Sequence, residues 1–149
     1  MTKVMKLCLT LSLIASSILG WLAFMAADNL PPYEYDAENS FIIPSIADDG
    51  DQIRVMLKIK KVNRICPGSN RRVLFDPVTK VHIATYDPTP AAISNSIIDG
   101  YLNRTFLLPK SLPSGPIGYR ATVCYECNLL QKFFKPLCVI TPDLFFAIR

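Results

Sequence analysis

The cysteines are the residues of this chain whose type and spacing most clearly suggest chemistry. Three of the five lie within residues 123–138, VCYECNLLQKFFKPLC, where Cys124 and Cys127 are spaced C-x-x-C. This spacing occurs in zinc sites, in redox pairs and in disulfide-linked exported domains. A zinc site lacks ligands, because there is no second C-x-x-C or C-x-x-H motif and His82 is the only histidine. A redox pair needs a helix N-terminus, whereas this motif ends a strand-like run, so disulfides are the favoured interpretation.

Four cysteines lie outside the apolar N-terminal run that contains Cys8, and an even number in a small exported domain predicts disulfides. Four cysteines allow three pairings. We prefer Cys127–Cys138, which would close the ten-residue excursion NLLQKFFKPL, together with Cys66–Cys124. The other pairings stay open. Each bridge is expected to contribute about 2–4 kcal/mol, chiefly by restraining the unfolded chain.

The motifs of common enzymes are missing from the sequence. It contains no Gly-x-Ser-x-Gly nucleophile elbow and no phosphate-binding loop, and its single histidine leaves most histidine-dependent schemes incomplete. The acidic residues after position 52 are few and scattered, and Asp76-Pro77 and Asp87-Pro88 are typical turn openers. We therefore expect a protein that is not an enzyme, with no catalytic residues, no cofactor and no bound metal.

Residues 7–27, LCLTLSLIASSILGWLAFMAA, contain no charged side chain. As a helix they extend about 32 Å at about 1.5 Å per residue, which is enough to cross the hydrocarbon core of a bilayer. Two lysines lie within residues 1–6, and acidic residues follow the run from Asp28 onward. Because positive charge is retained on the cytoplasmic side, residues 1–6 are expected to be cytoplasmic, residues 7–27 to be a transmembrane helix, and residues 28–149 to lie outside the membrane.

A cleaved signal peptide is the alternative interpretation, since it has the same basic start and apolar run. The small-x-small cleavage pattern is poor at the end of the run, because Phe24 and Met25 occupy the critical positions. A cut at the better match, residues 15–17, would leave the apolar stump SILGWLAFMAA. We therefore favour an uncleaved signal anchor. Either alternative exports the remainder of the chain.

Charge is distributed unevenly after the apolar run. Residues 28–51 carry seven acidic and no basic side chains, whereas residues 53–149 carry 14 basic and five acidic ones, a net charge of +9. Residues 28–39, DNLPPYEYDAEN, are predicted to be an acidic extended linker, because the Pro-Pro pair prevents a helix and stiffens the chain. A basic domain is suited to an anionic surface, although such charge also serves solubility alone.

Residues 40–149 show the pattern of an all-β domain, with short β-branched and aromatic runs separated by Pro, Gly, Asn or Asp. The clearest run, QIRVMLKIKKV at 52–62, places its apolar residues on one face and Arg54, Lys58 and Lys60 on the other. The segment 91–98 fits either a helical turn or a short edge strand. Seven strands are predicted, at 40–46, 52–62, 71–76, 80–86, 104–109, 117–126 and 138–149.

The segment FLLPKSLPSGPIGYRATVCY at 106–125 resembles the end of a fibronectin type III or immunoglobulin-like domain. It contains a strand, a loop with Pro and Gly, and a tyrosine that leads an alternating strand. The resemblance covers roughly residues 40–149 and implies a seven-stranded immunoglobulin-like or fibronectin III-like β-sandwich, with Tyr119 in the tyrosine corner. Cys124 departs from the family pattern, because it lies on the opposite strand face from Tyr119. The only tryptophan, Trp21, lies in the apolar run instead of the core.

Two surface features are candidate binding sites. The segment LLQKFFK at 129–135 places Phe133 and Phe134 among lysines on the predicted disulfide-closed loop, which suits a lipid surface or a partner protein. The alternative is that these apolar side chains fold back onto the sandwich. The second feature is a basic face, for which the candidates are Arg54, Lys58, Lys60, Arg71, Arg72 and Arg120.

Together these features predict a non-catalytic interaction module anchored in a membrane by one helix. The short basic start, single span and small β domain resemble uncharacterised membrane proteins of bacteriophages. That resemblance implies a single-pass inner-membrane protein with a cytoplasmic N-terminus and a periplasmic C-terminal domain. The expected partners are the membrane and an unknown protein or anionic envelope surface, with no nucleic acid. The alternative function is a membrane effector of lysis or superinfection control that acts through its transmembrane span.

Overall fold

The computed structural model describes residues 3–90 and 97–149. It confirms a mainly β protein with an N-terminal apolar helix. The elements are α1 (Lys3–Ala27), β1 (Tyr33–Ile43), β2 (Ile46–Ala47), β3 (Gln52–Val62), β4 (Gly68–Phe75), β5 (His82–Pro90), β6 (Ile97–Ile98), β7 (Tyr101–Leu107), β8 (Gly115–Tyr125), α2 (Leu129–Phe133), β9 (Leu137–Ile140) and β10 (Leu144–Ile148).

The strands form two sheets that share one core. The first sheet has the order β1-β3-β7-β6. The second has the order β2-β10-β8-β4-β5, and β9 pairs with β8 as well. Paired strands are antiparallel except β2 and β10, which are parallel.

Prolines divide two of the predicted strands. The predicted strand 40–46 is interrupted at Pro44, where the chain leaves β1 in one sheet and enters β2 in the other. The predicted bent strand 138–149 is two strands, β9 and β10, with Pro142 between them. Because proline has no backbone N–H to donate to a ladder, the strand ends at these positions. The described part of the chain therefore contains more strands than the seven predicted.

The ambiguous segment 91–98 ends in the short edge strand β6, whereas residues 91–96 lie outside the described residues. The predicted strands 71–76 and 80–86 correspond to β4 and β5, which pair as an antiparallel hairpin. Asp76 opens its turn, because its Oδ1 accepts hydrogen bonds from Val78 N at 2.7 Å and Thr79 N at 3.0 Å. This is the role that the Asp-Pro dipeptide predicted.

The predicted linker is partly a strand of the domain. Residues 33–39 belong to β1 and extend its pairing with β3 instead of forming a free tether. Tyr33 is only 1% exposed, and Tyr35 Oη lies 3.1 Å from Tyr125 Oη. Two tyrosines at alternate positions give this acidic segment an inward face. The β domain therefore begins at Tyr33, and only residues 28–32 separate it from α1.

The core is built from alternate positions of strands in both sheets. Ile53, Val55 and Leu57 of β3 are buried, as the alternation predicted. Phe106 of β7 stacks on Tyr119 of β8 with ring centroids 5.5 Å apart, which joins the two inner faces. Burial of a side chain of this size contributes roughly 1.5–3 kcal/mol. The inward face of each strand therefore supplies the apolar stabilisation of the domain.

The four outer cysteines form two disulfides, but the preferred pairing was wrong. Cys66 is bonded to Cys127, and Cys124 is bonded to Cys138. The pairing Cys127–Cys138 assumed that the ends of the excursion meet. Instead β9 runs antiparallel along β8 and places Cys138 directly opposite Cys124, with Cα atoms 3.9 Å apart. Cys8 is free, as predicted.

Helix α1 is 25 residues long, about 37 Å, and none of its residues is buried. Its length and composition are those of a membrane anchor or of a signal sequence. Its C-terminal end contacts α2, which lies in the long connection between β8 and β9. The apolar helix and the β domain therefore meet at one end of the β domain's two sheets.

Candidate functional site

The junction between α1 and the β domain is joined by side-chain hydrogen bonds, an ion pair and a nearby disulfide. We call it the helix-proximal end, and it consists of residues 28–32, the β3–β4 loop 63–67 and the β8–β9 connection 126–136. Arg64 Nη1 donates to Asp28 Oδ2 at 2.5 Å. Gln131 Nε2 donates to the carbonyl oxygen of Asp28 at 2.9 Å. Both connecting segments of the β domain thus bind the residue that follows α1.

Asp28 is ionised in this environment. The hydrogen bond from Arg64 lowers the pKa of the Asp28 carboxyl, and this effect outweighs the partial burial that acts in the opposite direction. Asn128 Nδ2 lies 3.3 Å from the same carboxylate and 3.3 Å from the carbonyl oxygen of Met25 in the last turn of α1. Charge and hydrogen bonding therefore hold the end of the apolar helix against the β domain.

The β3–β4 loop is fixed on both sides. Asn63 donates from its backbone N to the carbonyl oxygen of Pro32 at 2.8 Å, and from Nδ2 to that of Pro31 at 2.9 Å. Three residues later, Cys66 is bonded to Cys127. The disulfide therefore joins the β3–β4 loop to the β8–β9 connection. The hydrogen bonds of Asn63 join the β3–β4 loop to residues 28–32, which follow α1.

A reciprocal cap orders α2. Asn128 is the N-cap, and its Oδ1 accepts a hydrogen bond from Gln131 N at 2.9 Å. Gln131 Oε1 in turn accepts from Cys127 N at 2.9 Å, and the Gln131 side chain is buried. These two residues were not among the candidates predicted from the sequence. The signal was present, because Asn followed three positions later by Gln is a variant of the capping box.

The apolar tip, defined here as Leu129, Phe133 and Phe134, projects from this ordered helix. Phe133 is 68% exposed and Phe134 is 81% exposed. The interpretation that these side chains fold back onto the sandwich was therefore wrong. Lys132 lies over the ring of Phe133 with its Nζ 5.6 Å from the centroid. The tip thus combines exposed aromatic surface with positive charge.

An open groove of about 670 Å³ lies between the end of α1 and α2. Met25 and Ala26 line one side of it, and Leu130, Phe134 and Leu137 line the other. Lys135 contributes a positive charge at the same place. The lining also includes Asp28, Asn29 and Gln131, so the groove is mostly apolar with polar groups beside the end of α1.

The predicted basic face is divided between two faces of the molecule. Arg54 and Lys60 are exposed on the outer side of β3, whose inward residues are buried in the core. Arg71 is exposed on β4 of the other sheet, where it lies beside Thr122 in the ladder with β8. A strand pattern identifies the outward positions of each strand, but it does not show that β3 and β4 belong to different sheets.

Acidic residues of β1 lie opposite lysines of β3. The ladder places Glu34 opposite Lys61 and Asp36 opposite Lys58. Lys58 also lies over the ring of Tyr101, with Nζ 4.4 Å from the centroid. The acidic segment thus covers the neighbouring basic strand as a paired strand, and the net positive charge there is smaller than the sequence suggested.

Arg72 points between the sheets, in contrast to the prediction of a surface site. Its guanidinium carbon lies 5.3 Å from the centroid of Tyr86 and 5.2 Å from that of Phe106. Burial raises the pKa of Tyr86 to about 12. Arg72 therefore contributes to aromatic packing between the two sheets.

Arg120 is held in an ion pair. Its Nε and Nη2 donate to the two carboxylate oxygens of Asp143 at 2.6 and 2.7 Å. The hydrogen bonds from Arg120 lower the pKa of Asp143. The charge of Arg120 is thus satisfied within the domain.

Within residues 3–90 and 97–149, no group of three or more His, Cys, Asp or Glu side chains is arranged to hold a metal ion. The chain matches no protein-family model, and no curated protein is similar to it in sequence.

Proposed function

We propose that this protein is a non-catalytic interaction module, anchored in a membrane by α1 and exposed on the extracytoplasmic side. The length and apolar composition of α1 support the anchor. Two disulfides support an oxidising compartment for the β domain. The basic residues before the run and the acidic residues after it support a cytoplasmic N-terminus. We infer that the compartment outside is the periplasm of a bacterium.

We also propose that the β domain is immunoglobulin-like. The order β1-β3-β7-β6 corresponds to strands A-B-E-D of that fold, and β10-β8-β4 corresponds to G-F-C. Tyr119 is buried on β8, the strand that corresponds to F, where that fold places its corner tyrosine. Cys124, half-buried on the same strand, bridges to the neighbouring β9 in place of the inter-sheet disulfide of antibody domains.

The observation that carries the functional proposal is the fixed junction between α1 and the domain. Arg64 and Gln131 bind Asp28, and Asn128 reaches Met25 inside the last turn of the helix. A domain on a free tether would sample many heights and orientations. This domain instead stands in one position on its anchor, which suits presentation of a defined surface to a partner.

The opposite end of the sandwich is the surface that we assign to the partner. We call it the distal end, and it comprises the loops 44–51, 76–81 and 108–114. Strand β8 runs from this end to the helix-proximal end, a length of about 33 Å at about 3.3 Å per residue. Val78, which is 85% exposed, and Val81 project from the β4–β5 turn there. Asp48, Asp49 and Asp51 are exposed at the same end. An extracytoplasmic protein fits a surface of exposed valines and aspartates better than an anionic polymer does, because like charges repel.

A span-exchange experiment tests this function against the alternative of an effector acting through its span. A photo-reactive amino acid replaces Val78, and residues 3–27 are kept or exchanged for an unrelated polyleucine span. We expect the same cross-linked partner with both spans, and no such adduct when the probe replaces Arg54 on the outer face of β3. An adduct or a cellular effect that requires the native span would favour the effector instead.

A further inference from the structure

We propose that the apolar tip is a second membrane contact, inserted into the interfacial layer of the same bilayer that α1 spans. This inference rests on the proposed function, because it requires α1 to be inserted. It goes beyond that function by assigning the tip to the lipid of the anchor's own membrane. The β domain is then held by two points and has a fixed orientation on the membrane surface.

The position of α2 along the membrane normal, relative to the end of α1, supports this inference. Asn128 binds the carbonyl oxygen of Met25, and Gln131 binds that of Asp28. Three residues of helix rise only about 4.5 Å. The hydrocarbon core is about 30 Å thick, and the polar layers add roughly 5–7 Å on each side. Since α1 is about 37 Å long, α2 lies at the depth of the outer polar layer.

The chemistry of the exposed side chains fits that layer. Leu30 and Ile65 are also exposed on the helix-proximal end, at 52% and 72%, so the apolar tip does not stand alone. Lys132 and Lys135 flank the phenylalanines and are able to extend toward lipid phosphates while the rings enter the apolar boundary. The groove beside α1 is lined by Met25 of the anchor and by Phe134 of the tip, so it places the tip next to the anchor.

The tip is presented rigidly. Cys124–Cys138 closes the base of the connection that contains α2, and Cys66–Cys127 ties its start to the β3–β4 loop. The buried amide of Gln131 accepts a hydrogen bond from Cys127 N and so fixes α2 to the segment before it. Because the segment is restrained in this way, burial of the phenylalanines needs an external surface. The membrane is the occupant that the junction places beside them, whereas a protein partner would have to enter between the domain and the bilayer.

A tryptophan probe tests the proposal in the full-length chain. Trp21→Phe removes the only tryptophan, and Phe133→Trp then reports on the tip alone. The protein is reconstituted in vesicles of phosphatidylcholine and phosphatidylglycerol, with or without brominated acyl chains. The matched control carries Val78→Trp at the distal end in the same Trp21→Phe background. We expect blue-shifted emission and several-fold stronger quenching by brominated lipid for the F133W probe than for V78W.

A second pair of variants tests whether insertion of the apolar tip causes the quenching of the F133W probe. Phe134→Glu combined with the F133W probe should reduce quenching toward the V78W level, whereas Val81→Glu should leave F133W quenching unchanged. Equal, weak quenching of F133W and V78W in vesicles that float with the protein would overturn the proposal and leave the tip to a protein partner. If the protein does not float with the vesicles, α1 is not inserted and the proposed membrane anchor is overturned. Flotation therefore distinguishes failure of the proposed function from failure of the tip contact.

Discussion

Asp28 and Arg64 form an ion pair that spans 36 residues of sequence and fastens the end of the apolar helix to the β domain. Arg64 also donates from Nη2 to the carbonyl oxygen of Leu30 at 2.5 Å, so one side chain binds two points of the connection. Both side chains of the pair are about three-quarters buried, with 25% and 23% exposure. These bonds of Arg64 explain how the five residues 28–32 are enough to hold α1 and the β domain in a fixed arrangement.

Removal of this pair should loosen the junction in a pH-dependent way. We expect Arg64→Ala to lower stability by about 1 kcal/mol at neutral pH. Because Arg64 lowers the folded-state pKa of Asp28 below 3.8, the stabilisation is complete above that value and is lost as the pH falls through the folded-state pKa. Urea unfolding of the full chain in detergent at pH 7 and pH 3 measures the difference. An equal effect of R64A at both pH values would contradict an ionic contribution.

The two disulfides should contribute unequally. Cys66–Cys127 closes a separation of 61 residues and Cys124–Cys138 one of 14. Loop-closure entropy predicts about 4 kcal/mol for the first and about 3 kcal/mol for the second. We expect the C66S/C127S variant to lose more stability than C124S/C138S in denaturant unfolding. Mass mapping under non-reducing conditions should find these two pairs, and peptides joined as Cys66–Cys124 would contradict the assigned connectivity.

Gln131 should matter far more than its neighbours on α2. Its buried amide binds Cys127 N, and through Nε2 it also binds the carbonyl oxygen of Asp28. Gln131→Ala leaves both partners without that bond, and we expect a loss of roughly 1–3 kcal/mol. Lys132→Ala is the matched control, because Lys132 is exposed on the same helix and should change stability by less than about 0.5 kcal/mol. Similar losses for both variants would contradict the capping role.

Much of the fold could be predicted from the sequence because strand alternation is a local property. The inward and outward residues of β3 followed directly from period two. The sheet to which each strand belongs depends on contacts distant in sequence, so Arg54 and Arg71 were grouped although they lie on different sheets. The disulfide pairing failed for the same reason, since it required the position of β9 beside β8.

The candidate site could be predicted only in part. Exposed apolar residues next to lysines marked Phe133 and Phe134 as a tip. The residues that position the tip are polar side chains, and their partners lie 36 residues away for Arg64 and 103 for Gln131. Such pairs leave no periodic signal. The acidic residues before β3 were read as a tether for a similar reason, because composition outweighed the alternation of Tyr33 and Tyr35.

The ion pairs of the domain should differ in their contributions. Asp143 binds Arg120 through both carboxylate oxygens, whereas Asp48 lies 3.8 Å from Arg149 with both side chains largely exposed. We expect Asp143→Ala to lower stability by about 1 kcal/mol and Asp48→Ala to have almost no effect. Thermal unfolding of the two variants beside the unmodified chain measures this contrast. A larger loss for D48A than for D143A would contradict it.

A phosphatase fused after Arg149 tests the central claim most directly, because this reporter is active only after export. The fusion is expressed in bacteria, and phosphatase activity is measured in membranes after an alkaline carbonate wash. An anchored extracytoplasmic domain predicts an active enzyme that stays in the membrane pellet. An inactive enzyme, or activity released into the soluble fraction, would contradict the anchored and exported module proposed for this protein.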